Sequence, residues 1–157
     1  MKRIGLVTLG LSLSLALSGC FFSPEYKAKK HITNTKWSCV DKDYIPYTSY
    51  ELTIEKSTYT LKYHADAVRT KDVQQDAVDK TVEGNWTYLK SISKSWVGNW
   101  NAHHSVTYHV VRIDNHPTYT DGAYLCFEVD SNVMYVEREE PNSVDNMKYF
   151  TRLVKEK

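Results

Sequence analysis

Apolar and polar residues alternate with a period of two over much of this chain, the pattern of strands that bury one face and wet the other. It is clearest from Tyr50 to Ile54, where Leu52 and Ile54 share a face, and from Tyr59 to Tyr63, where Tyr59, Leu61 and Tyr63 alternate with Thr60 and Lys62. Lys56-Ser57 makes a tight turn between them, so the two runs read as a hairpin. A first strand is expected at Trp37 to Val40, another at Val82 to Leu89 with Trp86 and Tyr88 on one face, and a separate one near Ser95 to Trp100. His104 to Ile113 reads as the longest, with Val106, Tyr108 and Val110 on one side and His109, Val111 and Ile113 on the other, so both faces are partly apolar. Ala123 to Val129 turns Leu125, Phe127 and Val129 inward, Asp130-Ser131-Asn132 leads into Val133 to Glu137, and Met147 to Val154 closes the set.

Between Ala65 and Lys80 only the valines at 68, 73 and 78 punctuate a polar run, which predicts a loop with at most two helical turns. Gly-Asn precedes Trp twice, at Trp86 and at Trp100, and reads as two bends or bulges in which Gly takes a backbone angle that other residues resist. Short strands in meander order, separated by turn residues, predict an all-β fold: an antiparallel meander barrel or sandwich of about eight strands, with at most one short helix.

The start of the chain departs from this pattern. Lys2 and Arg3 precede Ile4 to Leu17, apolar apart from Gly, Ser and Thr, and then come Ser18, Gly19 and Cys20. A charged start, a short apolar run and small residues at its exit make a secretory signal peptide, and the run ends before the roughly 20 residues a spanning helix needs. Residues 1–19 are expected to be removed. Residues 20–35 hold Ser23-Pro24 and the lysines at 27, 29 and 30 with no sustained apolar period, so they read as a flexible tether. Residues 36–157 then form a single β domain.

Leu17-Ser18-Gly19-Cys20 resembles the lipobox of bacterial lipoproteins. The resemblance implies that Cys20 becomes the first residue of the mature protein and carries acyl chains on its thiol and on its new amino group. Two or three chains exceed the single one that binds marginally, so the membrane attachment it implies is permanent. Phe21, where Asp would mark inner-membrane retention, implies an outer-membrane destination in a Gram-negative envelope. With Cys20 committed to lipid, Cys39 and Cys126 remain as an even pair in an oxidising compartment, and a disulfide between them is expected. Closing so long a loop would stabilise by about 4 to 5 kcal/mol in the chain-entropy model. A second resemblance covers the mature domain. Trp37 in the first strand, about eight strands in meander order and Arg152 in the last strand are similar to lipocalin and calycin barrels, where such a Trp packs against such an Arg at the barrel floor. The Gly that stands two places before that Trp in the family pattern is missing from Thr35-Lys36-Trp37.

Charge removes one class of partner. The 157 residues carry 20 Lys and Arg against 19 Asp and Glu, and losing Lys2 and Arg3 with the leader takes the formal charge from +1 to −1. That balance offers no basic footprint for nucleic acid. Among the histidines, His104 and His109 fall on opposite faces of a strand, and His103 and His109 lie about 20 Å apart along it, so no metal site is predicted; His64 and His116 are elsewhere in the chain. There is no Gly-x-Ser-x-Gly, no His-Glu-x-x-His and no phosphate-binding glycine loop, and neither an enzyme nor a cofactor is expected. The aromatic residues remain. Trp86, Trp96, Trp100 and Tyr119 are the expected contacts for a ligand or partner, with Trp96 and Trp100 crowning a loop at an open barrel end. These features together predict a monomeric, lipid-anchored, non-catalytic binding or interaction module of the bacterial envelope, capturing an envelope protein, a glycan or an apolar ligand. The alternative is an assembly or inhibitor lipoprotein that docks another envelope protein by its surface. A carrier of apolar ligands requires an internal cavity, whereas a docking protein requires a filled core and an exposed aromatic patch.

Overall fold

Tyr50, Leu52 and Ile54 of β2 (Ser49–Ile54) and Tyr59, Leu61 and Tyr63 of β3 (Thr58–Ala65) are all buried, on one face of a hairpin that pairs Leu52 with Leu61 and Ile54 with Tyr59. In the computed structural model, which describes residues 23–39, 49–70, 74–119, 121–149 and 151–157, that face lines a closed barrel. The other barrel strands are β1 (Thr35–Cys39), β6 (Val78–Val97), β7 (His103–Ile113), β8 (Ala123–Phe127), β9 (Val133–Glu137) and β10 (Thr151–Lys155). Neighbours pair antiparallel in the order β1-β10-β9-β8-β7-β6-β3-β2, and β2 closes on β1. The protein is thus an eight-stranded antiparallel barrel in meander order, with one short α-helix among the described residues, as the alternation predicts. The polar stretch between β3 and β6 holds a two-residue ladder, β4 (Val68–Arg69) against β5 (Gln74–Gln75), and no helical turn among the described residues.

The interior is solid. Trp37, Tyr59, Leu125, Phe127, Met134 and Leu153 are at most 1 % exposed and meet at its centre. A second apolar cluster lies outside the wall, where Ile92, Val110 and Cys126 face outward beneath Val144 and Met147 of the segment that follows β9. This cover is why both faces of β7 are apolar. The buried carboxylate of Glu137 holds the cover down by accepting from the amides of Lys148 (2.9 Å) and Tyr149 (2.6 Å).

The expected Cys39–Cys126 disulfide does not form, and the register explains why. Cys39 lies opposite Leu153, which lies opposite Met134 and then Phe127, a row that points into the barrel. Cys126 is one residue off that row, so it points out, into the second cluster. The two positions are also three strands apart, about 14 Å, twice the reach of a disulfide. Burial pushes the Cys126 thiol well above its ordinary pKa, so it behaves as a small hydrophobe.

Two other expectations change. The strands expected at Val82 to Leu89 and near Ser95 to Trp100 are one continuous β6, with a bulge between Tyr88 and Lys90 and with its polar middle paired to β7. Only the second Gly-Asn-Trp lies at a bend, the β6–β7 turn, while the first is mid-strand. Gly84 is mid-strand beneath the Tyr59 ring, where a Cβ would lie 2.7 Å from a ring carbon, and Gly98 has His104 at 2.8 Å. Both glycines make room for a ring rather than for an unusual backbone angle.

Candidate binding site at the barrel mouth

Strand direction places the start of β1, the β2–β3 turn, the β6–β7 tip, the β8–β9 turn and the end of β10 at one end of the barrel. The same end receives α1 (Pro24–Ile32), which occupies most of the stretch read as a flexible tether. Its causes are local. Ser23 accepts from the Tyr26 amide at 3.1 Å, and Pro24 stands in the first turn, where a missing N–H is harmless. Glu25 sits at the positive end of the helix dipole and pairs with Lys29 at 2.6 Å, while Lys29, Lys30 and His31 crowd the negative end. Ala28 and Ile32, one turn apart, are fully buried against the barrel core, so α1 plugs the mouth.

His31 pins the plug. Its Nδ1 accepts from the Asp130 amide (3.3 Å), which leaves the proton on Nε2 to be donated to the Ser131 carbonyl (3.0 Å). The ring stacks on Phe127 with centroids 5.6 Å apart. Burial, reinforced by the Lys155 charge, holds this imidazole below its usual pKa against the opposing pull of the Ser131 carbonyl and Asp130. Lys155 donates to the His31 carbonyl at 3.4 Å and stands 5.7 Å from the Trp37 ring centroid. The cation on Trp37 is therefore Lys155; Arg152, opposite Tyr135, is exposed on the outer face.

Beyond the mouth, β6 and β7 outrun the barrel. Phe127 of β8 lies opposite His109, whereas β6 follows β7 as far as Val97 opposite His103, so a two-stranded ribbon extends about 20 Å past β8. Its inner face carries Ser91, Ser93, Thr107 and His109, and the Ser93 and Thr107 hydroxyls bond across the ribbon at 2.8 Å. Between this face, α1 and the β8–β9 turn opens a cleft of about 970 Å³, lined also by Lys27, Lys30, Lys155, Glu128 and Asp130. Burial lowers the His109 pKa, and the nearby His31 and Lys27 lower it further. Hydroxyls on one wall and amines outnumbering carboxylates on the others suit a polar or anionic ligand held by charge-assisted hydrogen bonds.

No family model matches the chain, and no curated protein or solved structure is similar enough to it to be counted a match.

Of the aromatic residues singled out in the sequence, Trp96 and Trp100 come together at the ribbon tip, 46 % and 100 % exposed. Trp86 is buried in the barrel core and donates its indole N–H to the Glu55 carbonyl at 2.9 Å. Tyr119 stacks on His116 at 4.7 Å and packs against the core at the opposite end of the barrel. The histidines scatter: His103 and His104 at the tip, His109 at the mouth, His116 beneath Tyr50, and His64 between Asp79 (2.7 Å) and Asp66 (3.2 Å). Among the described residues no group of three or more His, Cys, Asp or Glu side chains is placed to hold a metal ion, and no helix is long and apolar enough to cross a membrane. Cys20, with the rest of the lipobox, lies outside the described residues. The α1 half of the cleft is what sequence reading missed. Its signals are present in Ser23-Pro24-Glu25, a cap followed by first-turn residues, and in the one-turn spacing of Ala28 and Ile32.

Proposed function

We propose that this protein is a lipid-anchored, non-catalytic binding module of the bacterial envelope that captures a polar or anionic partner group in the cleft between α1 and the β6–β7 ribbon. The observation that carries the proposal is the contrast between a filled barrel interior and an open cleft at the mouth, lined by Lys27, Lys30, Lys155, Ser93 and Thr107. Binding at the mouth favours surface capture over carriage of an apolar molecule inside the barrel. Acylation of Cys20, implied by the lipobox resemblance, would confine the search for that partner to a membrane surface.

Crosslinking in membranes followed by mass spectrometry of the captured lipids, glycans and proteins tests this reading. Lys27→Gln with Lys30→Gln should lower capture at least about tenfold with only a small drop in melting temperature, since both side chains are exposed and the cleft loses two of its three amines. Equal capture by the variant would remove the cleft from the function. The second reading, docking of another envelope protein by the barrel surface, is favoured by the exposed side chains of Trp96, Val97 and Trp100. It predicts a single protein partner whose capture survives the loss of both lysine charges.

A further inference from the structure

The tip of the β6–β7 ribbon is built to expose apolar surface. Trp96, Val97 and Trp100 are three of the seven large hydrophobic residues exposed among the described residues, two at the end of β6 and one in the turn that follows. Trp96 is held by His104, stacked on it at 5.4 Å and 19°, with Gly98 leaving the space that the His104 ring needs. Trp100 adopts φ 64°, ψ 28°, the left-handed region that a bulky side chain avoids, and Asn101 follows at φ 55°. This conformation lifts the indole entirely into solvent, and no packing among the described residues offsets its strain.

We infer that this tip is a membrane-inserting element, with Trp96, Val97 and Trp100 entering the interfacial layer of the same bilayer leaflet that holds the N-terminal acyl chains. The inference rests on the lipid-anchor reading for its geometry. Pro24 lines the same cleft as Ser93 and Thr107, so the chain enters the domain alongside the ribbon. Pro24 is four positions after Cys20, a reach of at most about 14 Å. Along β6, Trp96 lies only about 10 Å beyond Ser93. An acylated Cys20 would therefore keep the bilayer surface within reach of the tip.

Charge and residue type point to the same occupant. No Asp or Glu occurs between Glu83 and Asp114, so the ribbon presents no carboxylate of its own to an anionic lipid surface, and its Lys94 pairs with Asp145 of the cover. Indole rings favour the headgroup layer, where an apolar body and a polar N–H are both accommodated. Inserted there, the tip and the anchor would make two attachments, fixing the barrel's orientation and turning the cleft toward the headgroups.

The test is fluorescence quenching in vesicles of phosphatidylethanolamine and phosphatidylglycerol with brominated acyl chains, using the purified mature protein. Trp37 and Trp86 are buried in the barrel, so quenching by bromine reports Trp96 and Trp100. The wild type should lose a substantial part of its emission, and the Trp96→Ala, Trp100→Ala variant should show almost no quenching at an unchanged melting temperature. An unquenched wild type, with the tip crosslinking to a protein instead, would overturn the inference. The mass of the same sample reports acylation independently. A quenched but unacylated chain, bound at excess lipid, keeps the membrane-inserting tip and removes the lipid anchor. An acylated but unquenched chain keeps the anchor and removes the tip.

Discussion

Thr151 stands on the inner face of β10 opposite Val136, in the row that continues through Leu125 to Val111. Its hydroxyl is the one buried side-chain polar atom among the described residues that finds no hydrogen-bond partner. An unsatisfied buried hydroxyl costs about 1 to 3 kcal/mol, and a methyl of the same shape costs none of it. Thr151→Val should therefore stabilise the protein by about 1 kcal/mol, read as a higher urea midpoint at unchanged slope; a lower midpoint would mean that the hydroxyl has a partner. The failure of the cysteine expectation belongs to the same scale. Counting thiols presents Cys39 and Cys126 as a pair, but a period-two strand sends adjacent rows to opposite faces, and a single residue of register separates a bridge from its impossibility. Register depends on which strands are neighbours, and no count of cysteines contains that information.

At the scale of elements, the strands with one wet face were the legible ones. Those of β2 and β3 can be read directly from Leu52, Ile54, Tyr59 and Leu61, since their inner and outer residues differ in kind. β6 was divided because Lys90 to Lys94 offers only Ile92 as an apolar residue; in the fold this part leaves the barrel, its serines face the cleft, and only Ile92 meets the outer cluster. α1 reads as a tether because two buried residues, Ala28 and Ile32, are too few for a visible stripe. The segment after β9 has the same character: little regular structure, yet a firm attachment through Glu137. Burial raises the Glu137 pKa, and the Lys148 and Tyr149 amides, with the Lys148 charge, pull it back down. A neutral Gln keeps one acceptor for these two amides and turns its NH₂ donor toward the other N–H. Glu137→Gln should cost about 1 to 3 kcal/mol and should speed hydrogen exchange at the Lys148 and Tyr149 amides and proteolysis within residues 138–149, while β2 and β3 stay protected. Uniform loss of protection across the barrel would instead make the cover part of one cooperative unit with the core.

Across the whole molecule, both barrel ends are closed around neutral imidazoles. At the mouth these are His31 and His109, whose pKa values burial lowers. At the opposite end His116 is buried, and its pKa is pushed down to about 4. Its Nδ1 accepts from the Thr118 amide (3.2 Å), so Nε2 carries the proton facing the Tyr50 hydroxyl (2.9 Å); a second proton, on Nδ1, would break the Thr118 bond. The sign of the pH dependence follows. Above about 6.5, the ordinary value, His116 is neutral whether the chain is folded or not and contributes no slope. Between there and about 4 the unfolded chain takes up a proton that the folded chain refuses, so stability falls as the pH falls, by about 3 kcal/mol in total for this residue. His31 and His109 act in the same direction. His64 acts in the opposite one, since Asp79 and Asp66 raise its pKa, but it is exposed and its effect is screened. Urea midpoints measured from pH 7.5 down to pH 4.5 should therefore decline, and His116→Gln, which keeps an acceptor for Thr118 without a titrating ring, should decline less steeply than the wild type. Parallel curves for the two proteins would show that acid sensitivity comes from the mouth. In that case hydrogen exchange at low pH should loosen α1 first, because protonating His31 breaks its bond from the Asp130 amide and frees the plug that covers the core.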